Sequence, residues 1–278
     1  MGKWFARFFR DRGFNVVISS RSSKRATSVA RELGVEYEKT SFNAVRNADV
    51  VIVSTPIGVT AKIIREVSKR MKAGAILFDI ASIKGEIIRA LEEANALGIR
   101  TLSVHPLFGP GAKSINGKKV LIIPVSENPE LLIEVLEMFK GATIHIVESG
   151  EYHDRMMALT LSLPHFLNIT YGKILSKADI RELKKFGGTT FTLQLLISES
   201  VLSEDPELYY EIQKQNEVFS EILDDFTEVV RESALIVQNK NKTRFFKDFE
   251  KVKASLSKDP KFLKAYQSFY KALEAIQQ

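Results

Sequence analysis

The sequence contains no cysteine. That excludes disulfides, thiolate metal sites and a cysteine nucleophile, and it fits a reducing, cytoplasmic setting. No apolar run approaches the roughly 18 residues of a membrane-spanning helix, so no helical span and no membrane partner are expected. The first residues, Met1-Gly2-Lys3-Trp4-Phe5, lack an apolar stretch ending in a small-residue cleavage site, so no secretory leader is expected. There is no HExxH and no carboxylate–histidine set with ligand spacing, so no metal is expected. Arginine-rich and aromatic–basic tracts are also missing. The 40 Lys and Arg are interleaved with 34 Asp and Glu, so the net charge of +6 suits small anions rather than nucleic acid.

What is present is an ordinary globular chain. Its 278 residues are 45% hydrophobic and 27% charged, which gives a prior of about two domains. The first half alternates strands and helices. Short, β-branched apolar runs occur at Asn15–Ser19, Asp49–Ser54, Ala75–Ile80, Thr101–Val104, Val120–Pro124 and Thr143–Val147. They read as parallel strands covered on both faces. Helices are expected over Ser22–Leu33, Val59–Met71, Lys84–Leu97 and Leu131–Phe139, the first three followed by glycine and the last opened by Asn128-Pro129. This alternation predicts a Rossmann-like, doubly wound parallel sheet over residues 1–150. From 151 to 278 the spacing is helical throughout, which predicts an all-helical second domain. Its aromatic stripe (Phe245, Phe246, Phe249, Phe262, Tyr266, Phe269, Tyr270) is expected in the core or at a subunit contact.

A dinucleotide-binding fold begins with a strand and a GxGxxG turn. Here the chain opens on a helix, Met1 to Asp11, and only Gly2 stands where the third glycine belongs. A preceding segment of about a dozen residues or more is therefore expected to be missing. The alternative is a variant in which the strands at Asn15–Ser19 and Asp49–Ser54 pair directly. The first of these strands runs into Ser20-Arg21-Ser22-Ser23-Lys24, with no acid for a ribose 2′-hydroxyl. Arg21 and Lys24 bracketing a 2′-phosphate, with Ser20 or Ser22 donating, favours NADP over NAD. Thr55 and Pro56, after the next strand, are expected beside the nicotinamide ribose.

Four histidines are present. His145 reads as structural, and His153-Asp154-Arg155 as capping and ion pairing. His105 directly follows an apolar strand and precedes Pro106-Leu107-Phe108-Gly109-Pro110, so it is expected at the carboxyl rim of the sheet. Ser82 and Lys84 end the preceding strand at the same rim. A Ser, a Lys and a His there suit polarising a hydroxyl beside a hydride acceptor. Pro164 is expected to kink its helix and aim His165 at the cleft.

Together, Asp79-Ile80-Ala81-Ser82-Ile83-Lys84, Val104-His105-Pro106-Leu107-Phe108-Gly109-Pro110, His153-Asp154-Arg155-Met156 and Leu163-Pro164-His165-Phe166 resemble the prephenate dehydrogenases, most closely the archaeal branch. The resemblance runs from Gly2 to about Asn216. It implies oxidative decarboxylation of prephenate, or of arogenate, with NAD(P) in tyrosine biosynthesis, by a homodimer formed through the helical domain. It implies His105 as the catalytic histidine on the C4 hydroxyl, Ser82 as a serine beside them, His165 as a second substrate-side histidine and Gly2 as the last glycine of the phosphate turn. Two departures stand out: the glycine-rich turn is absent, and Gly187–Thr192 lacks the arginine of the bacterial TRI-type block. Lys84, or else Arg155, is the candidate for the anion-binding role. The alternatives are another NADP-dependent reductase on the same plan, such as a β-hydroxyacid dehydrogenase relative, and a non-catalytic ligand-binding protein with a decayed dinucleotide site.

Overall fold

A computed structural model describes residues 1–277. The first half contains α1 (Gly2–Arg10), β1 (Val17–Ile18), α2 (Ser23–Leu33), β2 (Glu36–Tyr37), α3 (Ser41–Val45), β3 (Val50–Val53) and α4 (Ile57–Ser68). It continues with β4 (Ile76–Asp79), α5 (Gly85–Ala96), β5 (Arg100–Pro106), β6 (Lys119–Pro124), α6 (Pro129–Met138), β7 (Thr143–Ile146) and α7 (Gly150–Met157). The helix ends follow local chemistry. Ser22 accepts the Arg25 N–H at the start of α2, and Gly34 closes it in the left-handed conformation at φ +64°. Asn128 accepts the Leu131 N–H at 2.9 Å, and Pro129 opens α6.

The main sheet has the order β3-β4-β5-β6-β7. The helical crossovers α4 and α5 make β3, β4 and β5 parallel, and α6 makes β6 and β7 parallel. β6 runs antiparallel to β5, against the expectation of an all-parallel sheet. The connection over 107–118 contains no helix, so the chain turns back instead of crossing over. β1 and β2 form a separate two-stranded parallel sheet. The direct pairing of β1 with β3 is therefore not seen. The two-residue strand β2 and the short α3 carry too little periodicity to be read from the sequence.

The sheet is covered on both faces. On one face, Phe5, Phe8 and Phe9 of α1 join Leu131 and Val135 of α6, and Phe139, over Ile76, Phe78, Leu102, Val104, Val120 and Ile122. Phe139 is fully buried, with its ring centroid 5.9–6.4 Å from those of Phe5, Phe8, Phe9 and Phe78. Trp4 Nε1 donates to the Ala112 carbonyl at 2.7 Å, tying α1 to the 107–118 connection. On the other face, Ile64 and Val67 of α4 and Ile87, Ala90, Leu91 and Ala94 of α5 cover Val51, Val53 and Leu77.

The chain divides into two compact units. The first comprises Met1–Met157 with Tyr210–Glu217, and the second Ala158–Tyr209 with Val218–Gln278. The first thus runs past residue 150 and takes in part of the helical half. Two contacts explain this: Asn216 Nδ2 donates to the Asp154 carbonyl at 2.8 Å, and the Glu211 carboxylate lies against Gly58, where a Cβ would meet Oε2 at 2.6 Å.

The second half is helical throughout. Its elements are α8 (Leu163–Leu175), α9 (Ile180–Phe186), α10 (Thr189–Leu202), α11 (Pro206–Gln215), α12 (Phe219–Gln238), α13 (Lys242–Leu256) and α14 (Ala265–Gln277). A π-helical turn, Ala158–Ser162, precedes α8. It stands just ahead of Pro164, whose missing N–H disturbs the regular ladder there. Asn168 locks α8 to α10, accepting from Gln194 at 2.8 Å and Ser198 at 2.9 Å. Within one chain the aromatic stripe is not core: Phe245, Phe246 and Phe249 of α13 and Tyr266 and Tyr270 of α14 are exposed. No helix among the described residues is long and apolar enough to cross a membrane.

Because four aromatic rings converge on it, Phe139→Ala should lower the unfolding free energy by about 3–5 kcal/mol in urea titrations. A loss below about 1 kcal/mol would place the organising contacts elsewhere.

Candidate active site

Strand alternation builds the site. In β5, Leu102 and Val104 face the α1/α6 cluster, so Thr101, Ser103 and His105 face the α5 side. Thr101 Oγ1 accordingly reaches the Leu91 carbonyl on α5. In β4 the same alternation turns Asp79 to that side, in register with Ser103. The result is a buried polar cluster at the carboxyl ends of β4 and β5, beneath the start of α5.

Asp79 is completely buried. Its Oδ1 accepts from Ser103 Oγ at 2.5 Å, and its Oδ2 from the Ala81 N–H at 2.8 Å and Lys84 Nζ at 2.7 Å. Lys84 Nζ also donates to the Val104 carbonyl at 2.8 Å. The ammonium is fully enclosed, and burial pulls its pKa below that of a free lysine against the opposing pull of Asp79.

Asp154, from α7, receives the start of α5. Its carboxylate accepts the Lys84 N–H at 2.9 Å and the Gly85 N–H at 2.9 Å. Lys84 gives α5 no side-chain cap, so Asp154 caps the helix from outside, where the positive end of its dipole favours a carboxylate. The neighbouring His153 places Nδ1 2.7 Å from Asp154 Oδ1 and Nε2 2.9 Å from His105 Nδ1. Gly150 permits this approach of α7 to α5, because a Cβ there would lie 2.7 Å from Ile88 Cγ1. His105 is 3% exposed. Burial, with smaller contributions from His153 and Lys84, pushes its pKa well below the ordinary histidine value. It is a neutral imidazole at physiological pH.

The other rim residues lie where nucleotide contacts are wanted. Gly2 starts α1 close to the end of β3, and a Cβ on it would lie 2.6 Å from Ser54 Oγ. The first turn of α1 carries no acid and no side-chain cap, which leaves its N–H groups for an anion. Thr60, fully buried, accepts or donates at Thr55 Oγ1 (2.9 Å) and donates to the Pro56 carbonyl (3.0 Å), fixing the turn between β3 and α4. Ser20, Arg21 and Lys24 are exposed around the start of α2. These residues fit a dinucleotide: a helix N-terminus for phosphate, a fixed turn and free cations. In the second unit, His165 packs edge-on to Tyr209 at 4.7 Å, with Nδ1 buried and without a hydrogen-bond partner among the described residues.

Residues 5–148 match the family model for the prephenate dehydrogenase nucleotide-binding domain, and residues 149–251 match that for the prephenate dehydrogenase dimerization domain. The chain belongs to the prephenate dehydrogenase family. A probable arogenate/prephenate dehydrogenase of Methanocaldococcus jannaschii is 36% identical over 253 residues, 89% of this chain and 56% of that protein. The T-protein of Enterobacter agglomerans is 27% identical over 74% of this chain and 55% of its own length. The chain thus spans just over half the length of these curated relatives. Among solved structures, prephenate dehydrogenase of Aquifex aeolicus in complex with hydroxyphenyl propionate and NAD+ superposes with a TM-score of 0.74 at 22% identity, covering 93% of this chain and 94% of that one. The likeness is one of fold: a Rossmann-like sheet domain followed by a helical domain.

His105 stands at the end of β5 as expected, and Ser82 is half-buried in the turn between β4 and α5. Lys84 is corrected. Its ammonium is enclosed between Asp79 and the Val104 carbonyl, so it is not a free cation for a substrate anion. Arg155 is exposed, paired with Glu151 on its own helix. Capping and pairing by His153-Asp154 occur as expected; sequence reasoning missed Asp79, Ser103 and the contact of His153 with His105. The first two had a usable signal: each is a polar residue on the α5-facing parity of an otherwise apolar strand.

Removing one partner of the enclosed pair leaves an uncompensated buried charge. Lys84→Met should therefore cost about 3–5 kcal/mol of stability by chemical denaturation. The double variant with Asp79→Asn should lose less than the sum of the two single changes. Strict additivity would contradict the pairing.

Proposed function

We propose that this chain oxidatively decarboxylates prephenate to 4-hydroxyphenylpyruvate, with NADP preferred over NAD, as a homodimer formed through its helical half. The observation that carries this reading is His105. It is a neutral, buried imidazole anchored through Nδ1, at the carboxyl rim of the sheet where this fold presents catalytic groups. With Nδ1 occupied by His153, Nε2 is the nitrogen left for substrate. A bound nicotinamide supplies the hydride acceptor. His105 Nε2 takes the C4 hydroxyl proton as that carbon is oxidised. The ring carboxylate leaves as carbon dioxide, its bonding electrons complete the aromatic ring, and His105 returns the proton to the phenolic oxygen. No net proton is released. Aromatisation supplies much of the driving force, and His105 lowers the barrier by taking the proton as the charge on oxygen develops.

The NADP preference rests on Arg21 and Lys24, which are exposed at the start of α2 where no acid is present. Cations in a helix's first turn oppose its dipole unless an anion joins them. The homodimer rests on the match to a dimerization-domain model and on the exposed Phe245, Phe246 and Phe249.

The test is initial-rate reduction of NADP and NAD with prephenate and with arogenate. The reading expects turnover of prephenate with the higher kcat/KM for NADP. Turnover of arogenate alone would transfer the assignment to that substrate. Neither substrate being turned over would refute it. His105→Asn should reduce kcat by about 100- to 10,000-fold, and an undiminished rate would remove His105 from the chemistry. Replacing Arg21 with Ala should raise the KM for NADP about tenfold or more, the worth of a charge-assisted hydrogen bond, and leave that for NAD nearly unchanged.

The pH dependence has a definite sign. The base acts when neutral, and its pKa is lowered, mainly by burial. Activity should therefore persist as pH falls through the ordinary histidine value and fail only at lower pH. An acid limb of kcat/KM at or above about 6.5 would contradict the buried, neutral state.

A further inference from the structure

We propose that Asp154 and His153 form a two-step proton relay behind His105, positioning it as a base and taking up the proton it receives. The proposal deepens the reading of His105 as the base and rests on it.

The chain of contacts begins at the Asp154 carboxylate. Asp154 accepts backbone N–H groups on both oxygens, from Lys84 at 2.9 Å and from Gly85 at 2.9 Å. It also sits at the positive end of α5, so it is held as an acceptor. His153 Nδ1, 2.7 Å from Oδ1, must then carry a proton and donate it. In neutral His153 this leaves Nε2 as an acceptor. That nitrogen lies 2.9 Å from His105 Nδ1, which must therefore be the donor. The tautomer of His105 is fixed in turn: Nδ1 protonated, Nε2 with a free lone pair. Only this tautomer can accept a hydroxyl proton.

The same chain of contacts carries a proton onward. When His105 Nε2 gains the substrate proton, its Nδ1 proton can pass along the existing hydrogen bond to His153 Nε2. One proton enters His105 and one leaves it. The positive charge then rests on His153, against the Asp154 carboxylate, instead of on His105. This matters because burial and Lys84 oppose a cation on both rings, but only on His153 do carboxylates, Asp154 first and then Asp79, act against them. Asp154 is the carboxylate on the pathway, and it reaches His105 only through His153. The reverse shift returns the proton to the product oxygen, so the relay is restored without net change. The relay has a built-in failure mode. A His153 already protonated would donate to His105 Nδ1 and force the proton onto Nε2, which would block the base.

The test has a readout that does not depend on turnover. In the full chain labelled with 15N-histidine, NMR should report His105 with Nδ1 protonated and Nε2 bare. In His153→Leu that assignment should be lost. His153→Gln can still accept from His105 and donate to Asp154 but cannot hold the proton, so it should keep the tautomer. In kinetics, His153→Leu should lower kcat by about 100- to 10,000-fold, as expected for a base in the wrong tautomer, with KM little changed. His153→Gln should retain more activity than His153→Leu. Its solvent-isotope proton inventory should fall from two protons in flight to one. Finding the Nε2-protonated tautomer in the wild-type chain would overturn the proposal. So would a His153→Gln variant whose kcat and proton inventory match wild type. If neither prephenate nor arogenate is turned over, the reaction assignment fails while the NMR tautomer still decides the relay.

Discussion

The site depends on the carboxylate of Asp154. It caps the otherwise uncapped start of α5, and it fixes the ring of His153. Its own backbone carbonyl accepts from Asn216, which draws the segment Tyr210–Glu217 into the first unit. Helix position and histidine orientation are thus set by one buried group. A displacement of α7 would move both together, so the stability of this corner and the orientation of His105 are coupled. Gly150 contributes by allowing α7 to lie against Ile88 and Lys84 without a clash.

A second buried charge organises the other side of the cluster. Lys84 and Asp79 are fully enclosed, bonded to each other and to Ser103, the Ala81 N–H and the Val104 carbonyl. Burial of an ion pair is weak evidence for stability, because desolvation offsets much of the attraction. Its consequence here is local. It holds the turn carrying Ser82 between β4 and α5, and it places a cation that adds to burial and His153 in lowering the pKa of His105. The lysine expected from sequence to meet the substrate is instead enclosed in the protein interior.

Much of this was legible from the residues. The apolar runs placed every strand of the main sheet, because a short β-branched run flanked by glycine has few alternatives. His105 was legible because a histidine between an apolar strand and a proline-stiffened loop has only one end of the sheet to occupy. The reversal of β6 was not, since run composition is the same for either strand direction, and only the missing helix over 107–118 decides it. The enclosed state of Lys84 was hidden for a related reason: whether a lysine faces water or an aspartate five residues earlier depends on how the turn folds back. His153-Asp154 reads from sequence as capping and ion pairing, and both occur. The cap, however, is given to α5, a helix far away in sequence, and long-range partners leave no local trace. The exposed aromatics of α13 have the helical spacing of a core face, and periodicity alone does not say whose core it is.

The central claim is that a neutral His105 couples oxidation of a ring carbinol to loss of the ring carboxylate. The most direct test is stoichiometric. Prephenate labelled with 13C in its ring carboxylate would be turned over, with carbon dioxide and reduced cofactor counted together. The account predicts one labelled carbon dioxide for each reduced cofactor, in the wild-type chain and in the residual activity of His105→Asn. Reduced cofactor appearing without carbon dioxide would contradict it, because the chemistry would then be a plain alcohol oxidation.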